Sequence, residues 1–172
     1  MADLATVVTP LIRDVPDFPH AGVRFKDLTP VFADPTAFRA VVDALAATAP
    51  APDAVLGVEA RGFLLGAAVA YALGAGVVTV RKPGKLPVVA DSQSYTLEYG
   101  SAGLELPAGA LRPGQRVLVI DDVLATGGTV AATCRLAERA GATVLGVAVV
   151  LEIEGLGGRG ATHHPVHALL PA

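Results

Sequence analysis

The chain has 172 residues, 52% hydrophobic and 17% charged, with no Trp; that length buries a substantial core without disulfide or metal staples, and that composition excludes disorder. A formal charge of −3 and a pI near 5.7 exclude general nucleic-acid binding, which needs a broad basic surface to displace counterions. Cys134 is the only cysteine, which rules out a disulfide framework and a cysteine metal site and suits a reducing compartment.

At the N-terminus Asp3 comes almost at once, with no basic stretch leading into an apolar core, so nothing there reads as a secretory signal. The expected location is cytoplasmic, with no membrane partner. Residues 15 to 30 contain Pro16, Pro19, Gly22 and Pro30 and are expected as a loop, since they cannot form one regular element. Asp34 then offers an N-cap and Pro35 a first helical position, and Phe38, Val41, Val42 and Leu45 recur at amphipathic spacing, which predicts a helix over 34–49.

Ala54 to Val58 is a short apolar run, Gly62 to Leu73 a helix ended by Gly74, and Val77 to Val80 a second buried strand. The apolar stretch from Phe63 to Val80 is interrupted by glycines and reads as helix into strand, not as a membrane span. Ser94 to Glu105 alternates around Gly100 to Gly103 and predicts an antiparallel hairpin standing apart. A second β-α-β unit follows, with Val117 to Ile120, a helix from Gly128 to Ala140 closed by Gly141, and Val144 to Leu151. Residues 155 to 165 read as a flexible glycine-rich return to a last short strand near Val166 to Leu170. Repeated β-α-β predicts an α/β fold, a central parallel sheet flanked by helices on both faces.

The chemistry concentrates in VLVIDDVLATGGT, Val117 to Thr129. Asp121 and Asp122 close an apolar strand, and ligands of open parallel sheets bind beyond the carboxyl ends of strands. The small side chains of Ala125, Thr126, Gly127, Gly128 and Thr129 let backbone N–H groups and two hydroxyls converge on a phosphate at a helix N-terminus. No lysine follows Gly128 and no G-x-G-x-x-G is present, which disfavours a nucleotide triphosphate or dinucleotide. Adjacent carboxylates before a phosphate loop suit the two hydroxyls of a phosphorylated ribose.

This segment resembles the motif by which type I phosphoribosyltransferases bind phosphoribosyl pyrophosphate (PRPP). DFPHAGVRFKDLTPVFADPTAF, VEARGFLLG, RKPGKLP and SYTLEYG, in that order, resemble the adenine-specific branch of the family, so the similarity runs from about Val15 to Glu152. The resemblance implies the type I phosphoribosyltransferase fold in a single domain over 1–172, with a hood at about 1–33, a core over about 34–172 and a flexible hairpin lid at about 88–107. It implies the reaction of adenine with PRPP to give AMP and pyrophosphate, Mg²⁺ carried mainly by PRPP itself, and a homodimer.

Asp121 and Asp122 are then expected to hold the ribose, and Ala125 to Thr129 the 5-phosphate. Glu59, Ala60 and Arg61 match the family's pyrophosphate loop, with a cis peptide, and Arg81, Lys82 and Lys85 match a basic group that reaches a neighbouring subunit's site. Glu98 matches the acid or base that handles the purine ring proton, on a hairpin with Tyr95 and Tyr99. GVRFKD implies that the main chain at Arg24 and Lys26 reads the amino edge of adenine and that Phe25 stacks on the ring opposite Val123 or Leu124. Relatives often carry an aliphatic residue in place of Arg24, a departure without consequence if only its main chain is used.

His163, His164 and His167 lie without a carboxylate at ligand spacing, and no metal site of protein side chains alone is expected. Cys134 sits on an apolar helical face and is expected in the core. Two other readings stay open on the residues: a regulator that binds PRPP without transfer, and a transferase for another purine base.

Overall fold

The computed structural model describes residues 3–96 and 101–172. A short helix α1 (Leu4–Val8) leads into an antiparallel hairpin of β1 (Arg13–Pro16) and β2 (Arg24–Asp27), in which Val15 pairs with Phe25. The proline-rich stretch is thus two strands joined by a loop that Asp17 closes by accepting a 2.7 Å hydrogen bond from the Gly22 N–H. Helix α2 (Thr29–Ala33) follows, and α3 (Pro35–Ala46) starts where the Asp34 carboxylate accepts from the N–H groups of Thr36 and Ala37. That cap satisfies two of the donors every helix start leaves open.

The central sheet contains β3 (Ala54–Val58), β4 (Gly76–Val80), β7 (Arg116–Leu124), β8 (Thr143–Glu152) and β9 (Val166–Pro171), all parallel, in the order β4-β3-β7-β8-β9. Helix α4 (Arg61–Leu73) joins β3 to β4 and ends at Gly74, whose φ of 65° is the left-handed conformation a helix C-terminus favours. Helix α5 (Gly128–Arg139) joins β7 to β8. Val117 and Val119 belong to one hydrophobic layer with α5, while Leu118 and Ile120 belong to the other with α3 and α4. Each of these fully buried side chains is worth about 1.5–3 kcal/mol of transfer free energy. Among the described residues, no helix is long and apolar enough to cross a membrane.

Three further expectations need correction. β7 does not stop at Ile120: it pairs with β8 as far as Leu124, while β3 accompanies it only to Ile120. Asp121 and Asp122 therefore lie inside a strand that has lost its neighbour on one side. In the hairpin of β5 (Val89–Thr96) and β6 (Ser101–Pro107), Gly103 pairs with Ser94 inside the ladder, so the alternation is not centred on Gly100 to Gly103 as expected. The hairpin is a two-stranded sheet apart from the parallel one, as expected, and it packs on α5: Leu104 and Leu106 are buried in the α5 layer, and Arg139 of α5 bonds Asp91, Gln93 and the Ser92 carbonyl. The return at 155–165 is the third: Gly158 is buried against Ala125, Leu124 and Gly127.

Candidate active site

The chain leaves β3 toward β4 on one side and leaves β7 toward β8 on the other, so the strand order reverses between β3 and β7. Ligand clefts of open α/β sheets form at such a point, beyond the carboxyl ends. A cleft of about 330 Å³ lies there, lined by Glu59, Ala60, Arg61, Lys82, Tyr95, Leu104, Asp121, Asp122 and Thr129. Helices α4 and α5 both start beside it, and neither has a side-chain cap, in contrast to α3. Their first N–H groups and dipoles are free for anions.

The close seating of α4 depends on missing side chains. A Cβ at Gly62 would stand 2.9 Å from the Ile120 carbonyl oxygen and 3.1 Å from Asp121 Oδ1, and one at Gly57 would stand 2.8 Å from the Gly62 carbonyl oxygen. Backbone contact between helix and strands brings Arg61 to Asp122, with Nε 2.6 Å from Oδ2.

Asp121 and Asp122 are 8% and 6% exposed. Burial, and then the like charge of Asp122, raise the Asp121 carboxyl well above the ordinary aspartate range, although its Oδ1 accepts a 2.9 Å bond from the Asp122 N–H. The Arg61 N–H is not aimed at Asp122 Oδ2, which has no hydrogen-bond donor despite the ion pair. A buried carboxylate oxygen with an open lone pair suits a hydroxyl donor or a hydrated hard cation.

Arg61 also donates to the Lys26 carbonyl at 3.1 Å and lies over the Phe25 ring at 4.7 Å, tying the N-terminal hairpin to the acidic pair. Glu59 is joined to Ala60 by a cis peptide. Its carboxylate accepts from the Lys82 N–H at 2.8 Å and from Arg81 Nε at 3.2 Å. Burial pushes its pKa up, but these two donors outweigh burial and hold it below the ordinary glutamate range. Glu59 thus positions the 81–82 backbone, and Lys82 lines the cleft while Lys85 stays exposed outside it.

Of the loop from Ala125 to Thr129, Thr129 reaches the cleft wall, and its hydroxyl donates to the Tyr95 hydroxyl at 3.1 Å. Gly127 has φ 81° and caps α5 through its backbone alone. Behind the loop, a Cβ at Gly158 would come within 2.3 Å of the Ala125 carbonyl oxygen and 2.8 Å of Leu124 Cγ. Arg159 holds this wall by donating to both oxygens of Glu152 and to the Val166 carbonyl. Gly158→Ala must displace the Ala125–Gly127 backbone, so the KM for the phosphorylated ligand should rise roughly tenfold, with overpacking costing about 1–3 kcal/mol of stability. Initial rates and thermal melts measure both; an unchanged KM would detach the loop from phosphate binding.

The structure brings together Glu59, Ala60, Arg61, Lys82, Tyr95, Asp121, Asp122 and Thr129, all expected from the sequence, and adds Leu104. Arg24 and Lys26 turn their side chains to Asp14, at 3.0 and 2.8 Å, leaving only their main chain near Arg61 and Phe25. Between Val123 and Leu124, only Val123 is half-buried; Leu124 is in the core against Gly158. Glu98 and Tyr99 lie outside the described residues. Cys134 is in the core, where burial pushes its thiol up to about 11. The expectation that no carboxylate approaches the C-terminal histidines fails, because Glu138 meets His163 and His164.

Residues 35–166 match the phosphoribosyl transferase domain family. An adenine phosphoribosyltransferase of Mycobacterium sp. (strain KMS) is 62% identical over 160 residues, 92% of either chain. The crystal structure of adenine phosphoribosyltransferase from Rhodothermus marinus superposes with a TM-score of 0.94 at 46% identity, covering 100% of both chains. That of Saccharomyces cerevisiae, complexed with an imino-altritol bisphosphate and adenine, gives 0.92 at 38% identity over 99% of this chain and 100% of its own.

Proposed function

The chain belongs to the phosphoribosyl transferase family, in its adenine-specific branch; its reaction is adenine with PRPP to AMP and pyrophosphate, and we propose that the cleft between β3 and β7 carries it out. The observation that carries this reading is the meeting of two uncapped helix N-termini and a buried acidic pair in one cleft. PRPP has matching parts: a 5-phosphate and a pyrophosphate separated by a ribose diol.

The α5 start and Ala125–Thr129 take the 5-phosphate, Asp121 and Asp122 accept from the ribose hydroxyls, and the α4 start with Arg61 and Lys82 takes the pyrophosphate. Arg61 must then exchange Asp122 for a phosphate oxygen as the hydroxyls arrive. During transfer the bond from the anomeric carbon to pyrophosphate breaks as adenine nitrogen bonds to that carbon, through an oxocarbenium-like state. The buried carboxylates face the cationic ring, and the α4 start with Arg61 and Lys82 faces the leaving group. Glu98 takes the proton that adenine loses. Phe25 and Val123 bracket the base, and the main chain at Arg24 and Lys26 reads its amino edge.

The oxygen-rich acidic cleft, with the unpartnered Asp122 Oδ2, fits Mg²⁺: Asp121 and Asp122 would meet the water shell of an ion carried by PRPP, which would supply neutralisation of phosphate charge. The single domain works as three parts: the 1–33 hood over the base, the core, and the 88–107 hairpin as lid. A second copy of the chain covers α4 and the edge strand β4, where Leu64, Tyr71 and Val77 are exposed, and the Arg81–Lys85 group leaves from this same edge toward the partner's site. The cytoplasm is the working compartment, since PRPP, with three phosphoryl groups, does not cross membranes unaided.

Formation of the corresponding nucleoside monophosphate from PRPP and Mg²⁺ with adenine, hypoxanthine and guanine in turn tests the assignment. Product from adenine alone is expected. Product from hypoxanthine or guanine instead would move the base selectivity, and PRPP binding without product from any base would make the chain a regulator.

A further inference from the structure

On the face of α5 away from the cleft, Glu138 in the last helical turn meets two consecutive histidines from the segment leading into β9. His164 Nε2 lies 2.8 Å and His163 Nε2 3.2 Å from the same oxygen, Glu138 Oε1. One ligand atom from each of the three residues lies within 4.8 Å of the others, and the imidazole centroids are 4.1 Å apart. The His164 side chain is only 13% exposed and so already oriented, while that of His163 is 78% exposed and free to adjust. None of the three lines the cleft that the reaction uses.

We propose that Glu138, His163 and His164 form a binding site for a divalent transition ion of the zinc type. A tetrahedral ion with ligands at about 2.0–2.1 Å holds neighbouring ligand atoms about 3.3 Å apart, close to the 2.8 and 3.2 Å already present between each imidazole and Glu138 Oε1. Two imidazoles and one carboxylate make a three-ligand set with an open fourth position for water. Imidazole nitrogen selects zinc, nickel or cobalt over magnesium, which separates this site from the ion that accompanies PRPP. The ion would fasten the end of α5 to the segment whose Gly158 and Ala161 back the phosphate loop at Gly127. It is thus a clamp on the frame of the active site, not part of its chemistry.

Isothermal titration of tag-free full-length protein with ZnCl₂ tests this, beside thermal melts in Zn²⁺ and in Mg²⁺ alone. One ion per chain is expected, with a melting temperature raised by about 5–10 °C at a hundredfold excess over Kd and no such rise in Mg²⁺. His164→Ala and Glu138→Gln should each weaken binding at least tenfold. His167→Ala, on β9 outside the cluster, should not. Circular dichroism and AMP formation verify that each variant is folded. Parent-like zinc affinity in folded His164→Ala or Glu138→Gln, or no saturable binding to the parent chain up to about 1 mM, would overturn the site and leave a hydrogen-bonded His–Glu cluster.

Discussion

Replacing Asp121 and Asp122 together with Asn should raise the KM for PRPP by about 100-fold or more, since each buried carboxylate that accepts a hydroxyl is worth about 1.5–3 kcal/mol. The single change Asp121→Asn should at the same time make the substrate-free protein more stable at neutral pH. Burial and the adjacent Asp122 raise the folded-state pKa of Asp121, so the folded protein resists an ionisation that the unfolded chain undergoes freely. For a carboxyl shifted upward, stability is fully present below the unfolded value and falls as pH rises toward the folded value. Asn does not titrate, and it keeps an acceptor for the Asp122 N–H. The variant's advantage in melting temperature should therefore be small near pH 4 and grow up to pH 8. A constant difference across that range would mean that the two acids are not in conflict. The expected pair of results, stability gained and PRPP lost, is the mark of a site kept electrostatically strained for its ligand.

Glu98→Gln should lower kcat by about 10²–10⁴, the usual contribution of a positioned acid or base, and leave the KM for PRPP within about threefold. Gln keeps the shape and hydrogen-bonding capacity of the side chain and loses only proton transfer. The neighbouring strands border the cleft through Tyr95 and Leu104, and Tyr95 is tied to Thr129 of the phosphate loop. The acid limb of the parent's pH profile for kcat should disappear in the variant. Equal loss in kcat and in PRPP affinity would instead make Glu98 a residue that shapes the closed site.

Much of the architecture was legible from local signals. The Asp34 cap, the amphipathic spacing of Val41, Val42 and Leu45, and Gly74 beyond α4 each act within a few residues, so reading them needs no knowledge of the fold. The same holds for the site residues carried by VIDDVLATGGT, where strand, acids and phosphate loop are contiguous. Leu104 was not singled out because a leucine on an alternating strand has no signal beyond burial, and its place in the cleft wall follows from packing on α5.

By itself the sequence determined the succession of strands and helices from α3 onward, the acidic pair beside a phosphate loop, and, by resemblance, the chemistry. Only the tertiary structure decided which distant groups meet. Helix α4 can rest on β3 and β7 because Gly57 and Gly62 leave no side chain between them, and this lets Arg61 pair with Asp122 and reach the Lys26 carbonyl. Glycine in a helix reads locally as a weakness; its use is set by what lies across from it. Gly158, taken as part of a flexible turn, backs the phosphate loop for the same reason, and Glu138 joins His163 and His164 only through the return of the chain from β8. Such pairings carry no periodicity or spacing along the chain, because their spacing exists only across the packed layers.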